Sequence, residues 1–139
     1  MSEIITDKLT GKTSAGDVTI TSEGGAATMQ LQQGVAKAWG SIDQDSTGHP
    51  VYDSFNVTST ADSSTGETTV TYTNVMSNNN YSLSGTAQSE NENASNFSVI
   101  GKDSTFPNAT TSFRSDNRNS SGSNQDVKYF SFALHGDLA

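Results

Sequence analysis

The chain has 139 residues and a formal net charge of −8, with only seven Lys and Arg side chains, which are dispersed along it. The chain has no basic patch that could bind a phosphate backbone or an anionic membrane surface. Neither nucleic acid nor a membrane is therefore expected as a partner. Charged residues make up 16% of the chain, whereas Ser, Thr and Asn fill 52 positions, so its polarity comes mainly from uncharged groups. Together with eleven aromatic residues, this composition is typical of thin β-layers with hydroxyl-rich outer faces, not of a disordered chain.

The chain contains no cysteine, which excludes disulfides and Cys-based zinc sites. Its first residues, MSEIITDKLTG, lack the profile of a secretory signal peptide, and no apolar run reaches the length of a membrane span. We therefore expect a protein that is made in the cytoplasm; if it functions outside the cell, it leaves by a route other than signal-peptide export.

Residues 1–28 predict an extended arm. Ile4, Ile5 and Leu9 form a short apolar patch, but so few apolar side chains cannot offset the entropy of ordering an independent core. We interpret the patch as an anchor that becomes ordered on a partner or on sister chains. The alternative is an N-terminal strand packed against its own domain, and the alternation in Asp17–Thr21 is compatible with such a strand.

Residues 29–139 predict one antiparallel β-sandwich of about six to eight strands. At the start of this domain, Thr28–Gly34 is compatible with two helical turns that Gly34 ends. Val35–Asp43 then has a strand-like pattern with Val35, Trp39 and Ile42 as packing residues. We predict that Trp39, the single tryptophan, lies in the core or at a subunit contact, while a platform for sugar stacking is the alternative.

The clearest alternation is in Asp53–Ser84, which predicts three consecutive antiparallel strands. Each strand has one apolar face and one Thr- or Ser-rich face. The apolar residues expected to point inward are Phe55 and Val57, then Val70 and Tyr72, then Tyr81 and Leu83.

The remaining sequence alternates between polar loops and short strands. Loops are predicted at Gln44–Pro50, Ser89–Asn96 and Lys102–Ala109, and strands at Phe97–Ile100 and Thr110–Arg114. Asp116–Gln125 predicts a mobile hairpin tip. The last strand, Val127–Gly136, has Phe130, Phe132 and Leu134 on one face and apolar residues on the other as well, which indicates a central or interface-facing strand.

Groups suited to catalysis do not converge in the sequence. His49 and His135 are the only histidines, and no nucleophile-elbow motif surrounds any serine. We predict no enzymatic activity and no cofactor. The loops around Asp43 and Glu90 contain the oxygen ligands that Ca²⁺ prefers, but neither matches a calcium-binding loop, so solvated acidic loops are the preferred interpretation.

Several stretches together resemble small virion proteins of marine tailed bacteriophages. They are ITDKLTGKTSAGDVTIT near the start, GVAKAW, DSFNV, TVTYTNVMSNNNYSLSG and the closing HGDLA. Val35–Gly136 is also similar in strand pattern to the H-type-lectin-like β-sandwiches of phage fibre tips, with Met76 and Tyr81 in a shared turn.

The resemblance implies a non-enzymatic virion structural protein, a homotrimeric short fibre or spike on the virion surface that the N-terminal arm attaches to other capsid or tail proteins. Trp39, Phe130 and Phe132 are the expected subunit contacts. Alternatives are a capsid decoration protein and a fibre tip that binds a host-surface glycan. For such a tip, the candidate contacts are Tyr52, which offers a ring for stacking, and Arg114 and Arg118, which suit acidic groups.

Overall fold

A computed structural model describes residues 4–11, 18–21, 25, 27–88 and 106–139, together with the backbone of residues 96–99. The contacts within the chain divide it into two units, Met1–Val35 and Ala36–Ala139, a division that comes later than the boundary expected after residue 28. The predicted all-β class is confirmed, and every strand pairing between described residues is antiparallel.

The first unit contains a short hairpin. Strand β1 (Thr19–Thr21) pairs with β2 (Thr28–Gln30), and the one-turn helix α1 (Leu31–Gly34) follows at once. The predicted helix over Thr28–Gly34 is therefore wrong for its first three residues. Two helical turns are marginal in water without tertiary support, whereas pairing with β1 satisfies the backbone of β2.

The second unit contains two larger sheets and a two-stranded one. The four-stranded sheet has the order β4-β3-β11-β7, the three-stranded sheet β5-β6-β9, and the small sheet β10-β8. The strands are β3 (Ala38–Ile42), β4 (Val51–Phe55), β5 (Val57–Ser64), β6 (Glu67–Tyr72), β7 (Ser82–Gln88), β8 (Asn96–Val99), β9 (Ser112–Arg114), β10 (Asp116–Asn119) and β11 (Tyr129–His135).

An apolar core joins the two larger sheets into a sandwich-like layer pair. The Phe113 ring on β9 meets the Phe132 ring on β11 edge-on, with centroids 4.8 Å apart. Phe132 also stacks with Phe130, and Phe113 with Tyr72. In the part of the chain that the structure describes, the buried apolar residues all lie in the second unit: Ala38, Ile42, Val70, Tyr72, Met76, Tyr81, Phe113, Val127, Phe130, Phe132 and Leu134.

The predicted alternation of the last strand is confirmed. Phe130, Phe132 and Leu134 point into the core, while Tyr129 is exposed. β11 is also central, since it pairs with β3 on one side and β7 on the other. Apolar residues on both faces thus correctly indicated a strand inside the sheet.

The first predicted strand of Asp53–Ser84 is interrupted at Asn56. This residue has a φ of 58°, a left-handed conformation that Asn adopts more readily than most residues. Its amide donates to the Lys37 carbonyl at 2.9 Å and accepts from the Asn74 N–H at 2.6 Å. The chain passes there from the four-stranded to the three-stranded sheet, so Phe55, expected inside, is exposed.

The predicted hairpin tip Asp116–Gln125 is wrong for its first four residues. Asp116–Asn119 forms β10, which pairs with β8, and Asn117 is fully buried. The turn itself lies near Gly122, whose N–H donates to the Asn119 carbonyl. The polar composition predicted an exposed tip, but Asn117 is buried because it makes its hydrogen bonds inside the protein.

Candidate functional site

The side chains predicted to form the assembly arm are exposed. Ile4, Ile5 and Leu9 lie in the first unit, and none of them belongs to the apolar core. Apolar side chains in this position are available to a partner.

The three predicted subunit contacts differ in accessibility. Phe130 and Phe132 are buried within the core of a single chain, which leaves almost no surface of theirs for a second copy. Trp39 is 40% exposed and lies on the outside of the four-stranded sheet. The interface prediction consequently depends on Trp39 and its neighbours.

The three predicted receptor contacts lie in three different sheets. Tyr52 is on β4, Arg114 on β9 and Arg118 on β10. The Arg114 guanidinium pairs with Glu67 and lies 4.1 Å from the centroid of the Phe106 ring. Arg118 pairs with Asp116, with nitrogen–oxygen distances of 2.5 and 3.0 Å. Both arginines are thus engaged by the chain's own groups.

Four exposed aromatic side chains share the outer face of the four-stranded sheet. We call Trp39, Tyr52, Phe55 and Tyr129 the aromatic face; they are 40–52% exposed. Trp39 lies opposite Phe55 in the ladder, and the rings of Tyr52 and Tyr129 have centroids 5.7 Å apart. Trp39 also pairs with Ala133, four residues from Tyr129, so the two aromatic pairs are about 13 Å apart along the strands.

A β-bulge explains why Tyr52 joins this face. Ile42 pairs with Val51 and Ser41 pairs with Asp53, so Tyr52 is the extra residue of β4. An extra residue breaks the regular alternation and redirects a side chain. The bulge places the Tyr52 ring beside that of Tyr129, which lies two strands away in the sheet.

Asp43 is buried just beyond the end of β3 and holds the Tyr52–Tyr129 end of the aromatic face in place. Its Oδ2 accepts hydrogen bonds from Tyr52 Oη at 2.8 Å, Lys128 Nζ at 2.8 Å and Ser46 Oγ at 2.9 Å. Burial alone would raise the pKa of Asp43, but the hydrogen bonds from Lys128, Tyr52 and Ser46 outweigh it and lower the pKa to about 2. Asp43 is therefore a carboxylate at neutral pH, and it holds Tyr52 and Lys128 in place.

Between and beside the aromatic pairs, the face is polar. Ser131 donates to Ser41 at 3.4 Å, Thr86 lies opposite Ser131, and Gln88 lies opposite Tyr129. A shallow depression of about 340 Å³ follows β7 and β11 and is lined by Ser84, Gly85, Thr86, Ser131, Phe132 and Ala133. The surface thus combines ring faces with hydroxyl and amide groups.

A buried polar network lies elsewhere in the second unit, and the sequence reasoning did not predict it. Asn117 Nδ2 donates to Gln44 Oε1 at 2.6 Å, and Gln44 Nε2 donates to Thr68 Oγ1 at 2.6 Å. The Thr68 hydroxyl is 2.8 Å from His49 Nδ1, and His49 Nε2 is 3.6 Å from Asp62. A proton on Nε2 facing Asp62 leaves Nδ1 to accept from Thr68, which gives every group a partner.

The order Thr68–His49–Asp62 contains the residue types of a nucleophile, a base and an orienting acid. Thr68 is fully buried, however, and its hydroxyl is held by Gln44 and His49, so no substrate reaches it in the folded chain. We interpret the network as structural: it satisfies polar groups that connect Gln44 and the loop at His49 to β6 and β10.

The acidic loop after β3 does not assemble a shared ligand set. Asp43 is occupied by Lys128, Tyr52 and Ser46, and His49 points towards Thr68. Among the described residues, no group of three or more His, Asp or Glu side chains is placed to hold a metal ion. The second predicted acidic loop, with Glu90, lies outside the described residues.

No protein-family model matches the chain, and neither does any curated protein or solved structure with which it was compared. The described residues also include no helix that is long and apolar enough to cross a membrane.

Proposed function

We propose that the chain is a non-enzymatic structural protein of a bacteriophage particle, displayed on the virion surface as a short homotrimeric fibre or spike. The observation behind this proposal is the different placement of apolar side chains in the two units. Every buried apolar residue among those that the structure describes belongs to Ala36–Ala139, whereas Ile4, Ile5 and Leu9 are exposed. The second unit is the displayed module, and the first supplies the attachment.

These three exposed side chains become buried when the arm contacts a capsid or tail protein. Each fully buried aliphatic side chain contributes about 1.5–3 kcal/mol, and three arms of a trimer bind together with the gain of multivalency. The arm therefore does not need a large contact area in each subunit.

The Trp39 end of the aromatic face is the proposed contact between copies. Phe55, Trp39, Ala133 and Ser84 lie side by side across β4, β3, β11 and β7. All four are uncharged, and copies of a chain with a net charge of −8 repel each other least where the surface lacks charge. Trp39 and Phe55 supply the apolar area that such a contact buries.

The attachment is tested with the triple variant Ile4→Ser, Ile5→Ser and Leu9→Ser. Purified variant and wild-type proteins are added to phage particles from which the protein has been genetically removed, and co-sedimentation is measured. We expect the variant to lose at least tenfold in bound protein while its melting temperature stays unchanged, because none of the three residues is in the core.

The matched control is Phe106→Ser, which removes an exposed apolar side chain from the second unit and should bind particles like wild type. Equal binding of the triple variant and wild type would reject the arm. The number of copies per particle then separates a fibre or spike from a capsid decoration protein, since decoration matches the number of capsid lattice sites.

A further inference from the structure

We propose that the Tyr52–Tyr129 end of the aromatic face binds a neutral glycan. The inference goes beyond the structural role proposed above, because it assigns a ligand class to a defined pair of side chains. The two rings are about half exposed, 5.7 Å apart and inclined at 33°, so together they form a shallow aromatic platform.

The platform is held in place before any ligand arrives. The Tyr52 hydroxyl donates to Asp43 at 2.8 Å, and the same carboxylate oxygen accepts from Lys128 Nζ at 2.8 Å. Lys128 is the residue next to Tyr129, so Asp43 joins β4 to the start of β11. Fixing the rings in advance lowers the entropy that binding would otherwise cost.

The surroundings of the rings suit a sugar. A pyranose has an apolar C–H face and a rim of hydroxyls, so its site needs an aromatic surface beside hydrogen-bonding groups. Gln88 lies opposite Tyr129, and Asp53 follows Tyr52 in the same bulge. These side chains place an amide and a carboxylate next to the platform.

The negative charge around the rings favours neutral sugars over acidic ones. The cation at this end of the face, Lys128, is paired with Asp43, and Asp53 adds a negative charge beside the rings. With a net charge of −8 on the chain, uronate- or sialate-containing glycans are repelled. Arg114 and Arg118, the groups suited to acidic sugars, are each paired with a carboxylate of the chain itself, Glu67 and Asp116, so they do not favour an acidic ligand.

The site is about 13 Å from the proposed contact at Trp39. The two ends of the aromatic face are therefore separable by substitution, and glycan binding by the purified chain is measured without particles. Failure of the glycan site leaves the attachment and assembly proposals standing, and the reverse also holds.

The test uses the full chain on a glycan microarray that presents neutral hexose and 6-deoxyhexose oligosaccharides beside uronate- and sialate-containing ones. We expect binding to neutral members only, with little change between low and high salt because no ion pair is formed. Tyr129→Ala should weaken the binding roughly tenfold, since one of two stacking rings is lost.

Two further variants define the mechanism. Tyr52→Phe keeps the ring but removes the bond to Asp43, so affinity should fall severalfold. The melting temperature should fall only modestly, because Asp43 keeps its bonds to Lys128 and Ser46, and this separates positioning of the ring from loss of fold. Phe106→Ala removes an exposed ring outside the aromatic face and should bind like wild type. The proposal is overturned if no neutral glycan binds, if only acidic glycans bind, or if Tyr129→Ala binds as tightly as wild type.

Discussion

At the scale of single residues, Asp43 shows how a buried charge is retained. Its carboxylate is removed from water, which disfavours the charged form, yet a cation and four further donors surround it: the Tyr52 and Ser46 hydroxyls and the Asp45 and Ser46 N–H groups. Removing such a charge leaves Lys128 without its carboxylate and Tyr52 with a weaker acceptor.

We expect Asp43→Asn to lower the free energy of unfolding by about 1–2 kcal/mol at neutral pH. The folded-state pKa of about 2 is below the usual value near 3.9, so the stabilisation is present above about pH 4. It is lost as the pH falls through the folded-state pKa. Urea unfolding at several pH values should show the difference between wild type and variant shrinking from pH 5 towards pH 2.

The control is Asp45→Asn, which makes the same charge change at an exposed neighbouring residue. A difference between wild type and Asp43→Asn that stays constant down to pH 2 would show that the charge of Asp43 does not account for the stabilisation.

At the scale of elements, the packing of β11 depends on a glycine in the neighbouring strand β3. Phe132 pairs with Gly40 on β3 and with Gly85 on β7. A Cβ atom at position 40 would lie 2.8 Å from Phe132 Cε1 and 3.2 Å from Cζ. The ring of Phe132 occupies this space, where it contacts Phe113 of the opposite sheet.

Gly40→Ala should therefore destabilise the fold by about 1–3 kcal/mol through overpacking. If the clash with the ring is the cause, a smaller side chain at position 132 relieves it. Chemical unfolding of Gly40→Ala, Phe132→Leu and the double variant forms a double-mutant cycle. A loss in the double variant smaller than the sum of the two single losses is expected, and strict additivity would contradict the mechanism.

At the scale of the whole molecule, the exposed uncharged row through Trp39 and Phe55 leads to a prediction about assembly. Light scattering of the purified chain at micromolar concentration should give the mass of a trimer of 14.6 kDa subunits. The double variant Trp39→Ser and Phe55→Ser should be a folded monomer, because it removes exposed apolar area and leaves the core intact.

Phe106→Ser and Tyr129→Ala serve as controls and should remain trimeric, since the first lies outside the aromatic face and the second at its far end. A monomeric wild-type chain would remove the basis for the trimer, and a trimeric double variant would place the contact elsewhere.

The sequence by itself determined the fold class and much of the inward-facing set. Val70 and Tyr72 on β6, and Phe130, Phe132 and Leu134 on β11, are buried as their alternation predicted. This succeeds because the side-chain period of a strand is a local property of the backbone. Only a local pattern is needed to decide which side chains of a regular strand share a face.

The tertiary structure alone decided where that regularity breaks and which polar residues are inside. Asn56 turns the chain into a second sheet, and the bulge at Tyr52 redirects a ring; both depend on pairing with other strands. The Asn117–Gln44 hydrogen bond joins residues 73 positions apart. A polar side chain is buried only where such a distant partner satisfies it, and the sequence pattern around Asn117 contains no sign of that partner.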